Sequence, residues 1–199
     1  MEQSLRLILT GETAVLEQTL LNIYNKIYSA GQAQFAPDLY VLTAERLLEL
    51  PPPLQKHILQ KSESMIRMYN RLQEPENQFR IRSRICQAII DSQRAKQLRG
   101  IEAAELNLKA VDNLYRCFQQ IEANNLYLPL ALRTSFIFYQ IASPFFITVH
   151  RHYLANITPI VLSLLETHLT KQFDSTLRLY IAISLLHCCI LDDFSKSDE

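Results

Sequence analysis

The chain has 199 residues, with 20 basic and 20 acidic side chains and therefore a formal net charge of zero. Nucleic-acid-binding proteins usually carry a basic excess, so this balance argues against that class. Only 3 glycines occur, whereas antiparallel β proteins and nucleotide-binding α/β folds need glycine-rich turns and loops. The scarcity of glycine therefore predicts an all-α chain, and the 48% of residues that are hydrophobic predict that it folds around a core.

Apolar residues recur three or four positions apart through the first half of the chain, which predicts four amphipathic helices. The first stops at Gly31, the second covers about 37–50, and the third covers about 54–72 after the prolines at 51–53. The fourth begins at Pro75. The residues predicted to face the core are Leu16, Leu20, Ile23 and Ile27, then Tyr40, Ala44, Leu47 and Leu48, then Ile58, Met65, Ile66, Tyr69 and Leu72, and last Phe79, Ile81, Ile85, Ala88 and Ile89.

Four more helices are predicted in the second half, after a break at Gly100. A turn at Asn124-Asn125 separates the first two, a long third helix begins at Ser143-Pro144 and is kinked by Pro159, and the last covers about 171–191. The residues predicted to face the core are Ile101, Ala104, Leu108, Val111, Tyr115, Phe118 and Ile121, then Leu130, Thr134, Ile137, Phe138 and Ile141, then Phe146, Val149, Tyr153, Ile157, Ile160 and Leu164, and last Phe173, Leu177, Tyr180, Ile181, Leu185, Cys188 and Leu191.

About eight helices joined by short connections predict antiparallel helical hairpins. Their recurrence every forty residues or so is typical of a stacked α-solenoid of the tetratricopeptide-repeat (TPR) type, with a closed bundle as the alternative. The consensus aromatic and glycine positions are not in register, so the repeat is degenerate. Residues 1–199 are predicted to form a single domain, with 1–36 as a weaker N-terminal segment.

The sequence predicts no catalytic, metal-binding or cofactor-binding residue and no small-molecule substrate. Phosphate-binding glycine loops and the common hydrolase and metalloprotease motifs are absent from it. His150 and His152 lie two positions apart, and on a helix they would diverge by about 200°, too far to share one ion. A helical enzyme or metal-binding bundle using these histidines or His187 is kept as the least favoured alternative.

The cysteines and carboxylates favour ordinary structural roles. Cys86, Cys117, Cys188 and Cys189 have no disulfide-framework spacing and are predicted to be buried, reduced thiols. Two groups of carboxylates could in principle act as acid–base pairs, but they are predicted to be solvated helix residues. The groups are Glu45, Glu49 and Glu63, and Asp192 and Asp193.

Two local features remain as candidate binding surfaces. Arg80, Arg82 and Arg84, with Arg94, Lys96 and Arg99 beyond them, form a basic cluster that could face RNA or tubulin. The favoured interpretation is a solvated helix face balanced by Glu102 and Glu105.

The apolar run at 179–191 is too short to span a bilayer, so it predicts a helix buried in the fold or covered by a partner. The N-terminal sequence predicts no signal peptide.

Several short motifs follow one another between residues 35 and 165. One is the stretch Pro75-Glu76-Asn77-Gln78-Phe79, followed by Arg82, Arg84, Cys86 and Ala88. Another is Tyr139-Gln140, Pro144-Phe145, Arg151-His152 and Leu154, and the pairs Ala44-Glu45 and Met68-Tyr69 lie upstream. In order and spacing, these motifs resemble the family of cilia- and flagella-associated protein 46.

That family consists of large TPR-containing subunits of the C1d projection on the central-pair microtubules of motile cilia. The resemblance implies a structural scaffold similar to the family's N-terminal helical array, located at the axoneme of the cytoskeleton, with other projection subunits as partners. Family members are much longer than 199 residues, so most of the array would be lacking. The alternative is a cytosolic TPR-like adaptor that binds a peptide or helix of an unrelated protein.

Overall fold

The computed structural model describes residues 13–30, 35–50, 56–145, 149–169 and 174–197, and every regular element in these ranges is helical. The all-α prediction is therefore confirmed. The chain divides into two compact units, Met1–Gln93 and Arg94–Glu199. The stacking of hairpins into a solenoid and the span of a single domain stay predictions.

The first unit is built from four helices, and α2 packs against both α1 and α3. The four are α1 (Thr13–Ala30), α2 (Pro37–Leu48), α3 (Lys56–Arg71) and α4 (Gln78–Ala95), the last two residues of which lie past the boundary. One core cluster contains Leu20, Tyr24, Ile27, Tyr40, Val41, Ala44, Leu47, Leu50, Ile58, Met65, Ile66, Tyr69, Cys86 and Ile90. The predicted stripes of α2 and α3 supply half of these fourteen residues.

The stripe predicted for α1 is wrong at one position. Ile23 is exposed, and Tyr24 takes the inward place between Leu20 and Ile27. The Tyr24 ring also lies under the Lys61 ammonium, which is 4.1 Å from the ring centroid. Gly31 and the prolines at 51–53, predicted as helix stops, lie outside the described residues.

Helix α4 begins at Gln78, three residues after the predicted start at Pro75, because Asn77 caps it. The Asn77 Oδ1 atom accepts hydrogen bonds from the backbone N–H groups of Phe79 (2.9 Å) and Arg80 (3.0 Å). It also accepts one from the Tyr69 hydroxyl (3.2 Å), which ties the cap to α3. These bonds satisfy backbone donors that have no partner inside the helix.

We expect Asn77→Ala to lower the free energy of unfolding by about 1–2 kcal/mol, because two backbone donors and the Tyr69 hydroxyl lose their acceptor. Urea denaturation of the full chain, followed by circular dichroism, measures this change. Asn70→Ala is the matched control, since Asn70 is exposed on α3 and alanine favours the helix there. Equal stability of the two variants would contradict the capping role.

The second unit begins with α5 (Gly100–Ala123) and α6 (Ala131–Ala142), joined by a 3₁₀ turn over Asn125–Leu130. Two further 3₁₀ turns, Ser143–Phe145 and Val149–Leu154, precede α7 (Thr158–Leu169) and α8 (Asp174–Ser197). Helix α6 packs against α5 and α7, and α7 packs against α8. At the α5–α6 contact the rings of Phe118 and Phe138 meet edge to face, with centroids 6.0 Å apart.

The long helix predicted from Ser143 to about Leu169 is wrong. The chain forms the two 3₁₀ turns first, and the α-helix begins only at Thr158. Pro159 therefore lies in the first turn of α7 and does not kink a longer helix. This position suits proline, because the N–H it lacks would have no partner in a first turn.

The stripe predicted for α5 is correct only in its second half. Val111, Phe118 and Ile121 are buried, but Ile101 is 77% exposed. Ala104, Leu108 and Tyr115 are partly buried, while Ala110, Leu114 and Cys117 complete the buried face. The stripe of α6 is confirmed at Thr134, Ile137, Phe138 and Ile141.

Candidate protein-interaction surface

Helix α8 is apolar on two faces, and only one of them is buried. The buried face consists of Thr176, Leu179, Ile183, Leu186 and Ile190. The other face carries exposed residues at the same helical spacing, namely Leu177 (47% exposed), Ile181 (48%), Leu185 (62%), Cys188 and Leu191 (55%). We call these five residues the outer stripe. The prediction that they face the core is wrong, because the opposite face of α8 packs inward.

Two side-chain hydrogen bonds connect α8 to α7. The Tyr180 hydroxyl donates to Oε1 of Glu166 on α7 at 2.9 Å, and this bond raises the pKa of Tyr180 above its ordinary value. The His187 Nδ1 atom lies 2.9 Å from the Thr158 hydroxyl oxygen at the start of α7. His187, a candidate ligand of the alternative metal site, is thus part of a helix–helix contact.

The outer stripe is continuous and uncharged. From Leu177 to Leu191 it extends about 21 Å along the helix, at 1.5 Å per residue. Arg178 is the last charged residue before the run 179–191, and Asp192 and Asp193 are the next after it. Contiguous exposed apolar surface of this kind marks interaction sites, whereas single exposed leucines carry no such meaning.

Three arginines of the basic cluster on α4, namely Arg80, Arg82 and Arg84, form ion pairs within the first unit. Arg82 donates through Nε to Glu45 Oε1 at 2.8 Å and through Nη2 to Glu45 Oε2, linking α4 to α2. The hydrogen bond from Arg82 to Glu45 raises the pKa of the guanidinium. Glu45 is only 4% exposed, so its prediction as a solvated helix residue is wrong. The pairing with Arg82 compensates this carboxylate for the water contacts that it loses by burial.

Arg80 and Arg84 share a second carboxylate, that of Glu76. The Arg84 Nη2 atom lies 3.0 Å and the Arg80 Nε atom 3.4 Å from Glu76 Oε1. Arg80 also donates to the Glu74 carbonyl at 2.8 Å. Arg80, Arg82 and Arg84 are therefore paired with the upstream carboxylates of Glu45 and Glu76. An arginine face committed to internal carboxylates is a weak phosphate-binding surface.

The cysteines fall into two groups. Cys86 and Cys117 are buried as predicted, whereas Cys188 and Cys189 are exposed on α8, which makes their predicted burial wrong. Sequence reasoning missed this exposure because the surrounding run is apolar on every side. The imidazole of His152 is exposed beside the Tyr153 ring, and the His150 side chain lies outside the described residues.

Within the ranges given above, no three histidine, cysteine or carboxylate side chains come together as a metal site. In the same part of the chain, no helix combines the length and apolarity that crossing a membrane requires.

No protein-family model matches the chain, and no solved structure matches it.

Proposed function

We propose that this chain is a protein–protein scaffold that binds a partner through the outer stripe of α8. The observation that carries the proposal is the exposure of four large apolar side chains in one line on a helix whose opposite face is buried. A helix of a folded domain that faces water normally presents charged residues there. Here the charged residues lie at the two ends of the stripe.

Burial of the outer stripe against a partner would make a favourable contribution to the free energy of binding. Leu177, Ile181, Leu185 and Leu191 are about half exposed, and burying the remainder would contribute about 1 kcal/mol for each side chain. Interfaces depend on a few such central anchors surrounded by contacts of little energy. Leu185, the most exposed of the four, lies in the middle of the stripe and is the expected anchor.

The finer proposal is that the partner belongs to the ciliary central apparatus, and that the chain is a C1d-projection component that supports ciliary movement. What supports it is the resemblance of the motifs between residues 35 and 165 to the family of cilia- and flagella-associated protein 46. The proposal includes no catalytic role, metal or cofactor. A TPR-like adaptor outside cilia would use the same stripe to bind a different protein. The location of the chain in the cell therefore distinguishes the ciliary proposal from this alternative.

The test is proximity labelling from a tagged copy in a cell that builds motile cilia, with imaging of the same tag. We expect axonemal signal and central-apparatus neighbours, and we expect Leu185→Asp to lose those neighbours because it places a charge in the stripe. Leu126→Asp is the matched control, since Leu126 is 82% exposed on a 3₁₀ turn of the same unit.

A diffuse signal without axonemal neighbours would refute the ciliary assignment. Neighbours that persist in the Leu185→Asp variant would refute the stripe as the binding surface.

A further inference from the structure

The stretch that leads into α5 and forms its first turns contributes no side chain to a core. Residues 96–100 are exposed, and no side chain is buried between Ala95 and Ala110. The first turns of α5 therefore have little of the tertiary packing that stabilises most helices. Gly100 adds conformational freedom, since its φ of 63° lies in the left-handed region that favours glycine. Local opening of this stretch should require less free energy than opening of the packed helices.

Two basic residues of this stretch lie outside the helices. In the described ranges, the other lysines and arginines belong to α-helices, apart from Arg151 in a 3₁₀ turn. Lys96 and Arg99 follow α4 and precede α5, and both are exposed. Trypsin-like proteases select a basic residue, because a carboxylate in their specificity pocket binds its charge. Exposed basic residues outside helices are the positions that such a protease reaches first.

The backbone conformation distinguishes Arg99 from Lys96. After Lys96 the chain turns, and the N–H groups of Gln97 and Leu98 donate to carbonyls in the last turn of α4 at 2.9 and 3.0 Å. Arg99 has an extended backbone instead, with φ −136° and ψ 157°. Extended peptides bind in a cleft by pairing their backbone as a strand does. Arg99 already has the conformation that cleavage requires, whereas the bond after Lys96 must first leave a turn.

We propose that the peptide bond between Arg99 and Gly100 is a site of limited proteolysis by trypsin-like endoproteases. Hydrolysis breaks the bond between the Arg99 carbonyl carbon and the Gly100 nitrogen. Water adds a hydroxyl group to the carbon and a proton to the nitrogen, and the new carboxylic acid passes its proton to the new amine. The surroundings leave room for a protease, since no atom lies within 4 Å of the place where a Cβ of residue 100 would stand.

This cleavage would divide the chain without dividing a helix. Helices α1–α4 end before the bond, and α5–α8 begin after it. The core cluster of the first unit remains in residues 1–99, and the Phe118–Phe138 contact of the second remains in residues 100–199. Both products should therefore stay folded, and the outer stripe stays with the second. The inference does not depend on what the outer stripe binds.

Limited digestion of the native full chain with trypsin, followed over time by mass spectrometry of the intact fragments, tests the proposal. We expect fragments 1–99 and 100–199 to form at least about tenfold faster than fragments cut after Arg67 or Arg116. These two arginines are the controls, because their side chains are 67% and 63% exposed but their backbones are helical. Equal rates at all three positions would overturn the proposal, since global unfolding exposes every bond alike.

Two variants test the choice of bond. Arg99→Gln should slow the first cleavage, whereas Arg116→Gln should leave its rate unchanged. If fragment 1–96 replaced fragment 1–99 without delay in Arg99→Gln, the extended backbone would not direct the protease and the assignment to Arg99 would fail. Circular dichroism of each variant before digestion shows whether the helices remain folded.

The state of the products is the final test. We expect the digested chain to keep its helical circular dichroism signal, because no helix is cut. Loss of that signal when fragments 1–99 and 100–199 form would overturn the conclusion that the cleavage leaves both units folded.

Discussion

Arg82→Met is expected to lower the free energy of unfolding of the first unit by about 3 kcal/mol, although the substitution lies on a helix surface predicted to be a solvated basic face. The methionine keeps most of the length of the side chain but removes both hydrogen bonds to Glu45. Glu45 is 4% exposed, so its carboxylate would remain buried with its main counter-charge gone.

Glu45→Met and Arg82→Met should differ in how far they lower the free energy of unfolding. In Glu45→Met the remaining partner is Arg82, whose side chain is 20% exposed and carries its charge on a long stem that can turn toward water. Glu45→Met should therefore lower the free energy of unfolding by less than Arg82→Met does. The double variant Glu45→Met/Arg82→Met should recover most of the loss, because replacing a whole buried pair by apolar side chains is often close to neutral.

Urea denaturation of the wild type, both single variants and the double variant gives the coupling energy of the pair. Arg84→Met is the matched control, since Arg84 pairs with Glu76, which is 53% exposed, and should cost no more than about 1 kcal/mol. Equal losses for Arg82→Met and Arg84→Met would show that the burial of Glu45 has no energetic consequence.

Phe118→Asp is expected to unfold the second unit. The Phe118 ring is fully buried and lies edge to face on Phe138, and its removal alone would cost about 3–5 kcal/mol. The carboxylate adds the cost of a buried charge with no partner. Because a typical domain is stable by only about 5–15 kcal/mol, the two losses together are expected to exceed what the unit can tolerate.

Circular dichroism should show the loss of helix, and heating should show no cooperative transition for this unit. Phe136→Asp is the control, because Phe136 is 54% exposed on α6, the helix that also carries Phe138. It should keep the native spectrum. An unchanged melting temperature in Phe118→Asp would mean that the contact between α5 and α6 is misassigned.

The sequence was sufficient to predict helices whose polar and apolar residues separate cleanly. On α3 the apolar residues lie on one side, and Ile58, Met65, Ile66 and Tyr69 are buried as predicted. Helix α8 is different, because it is apolar around most of its circumference. Leu177, Ile181 and Leu185 form one regular stripe, while Leu179, Ile183 and Leu186 form another. Periodicity alone does not show which of two such stripes is buried, because that depends on tertiary packing.

The burial of Glu45 and the role of Pro159 are two features that could not be predicted from the sequence. A glutamate on an amphipathic helix is usually solvated, and nothing near Glu45 in the sequence identifies Arg82, thirty-seven residues later, as its partner. A proline inside an apolar run is compatible with either a kink or a helix start. The 3₁₀ turn before Thr158 decides between them, and it depends on how the chain packs beside α8.

The four cysteines differ in burial and therefore give the chain a set of native chemical probes. Cys86 lies in the core of the first unit and Cys117 in that of the second, whereas Cys188 and Cys189 are exposed on α8. A brief pulse of a maleimide reagent should therefore modify the last two thiols in the native chain. Each core thiol should react only when its own unit opens. Mass spectrometry of the labelled peptides would then report the opening of each unit and the covering of α8 in one experiment, without an introduced cysteine.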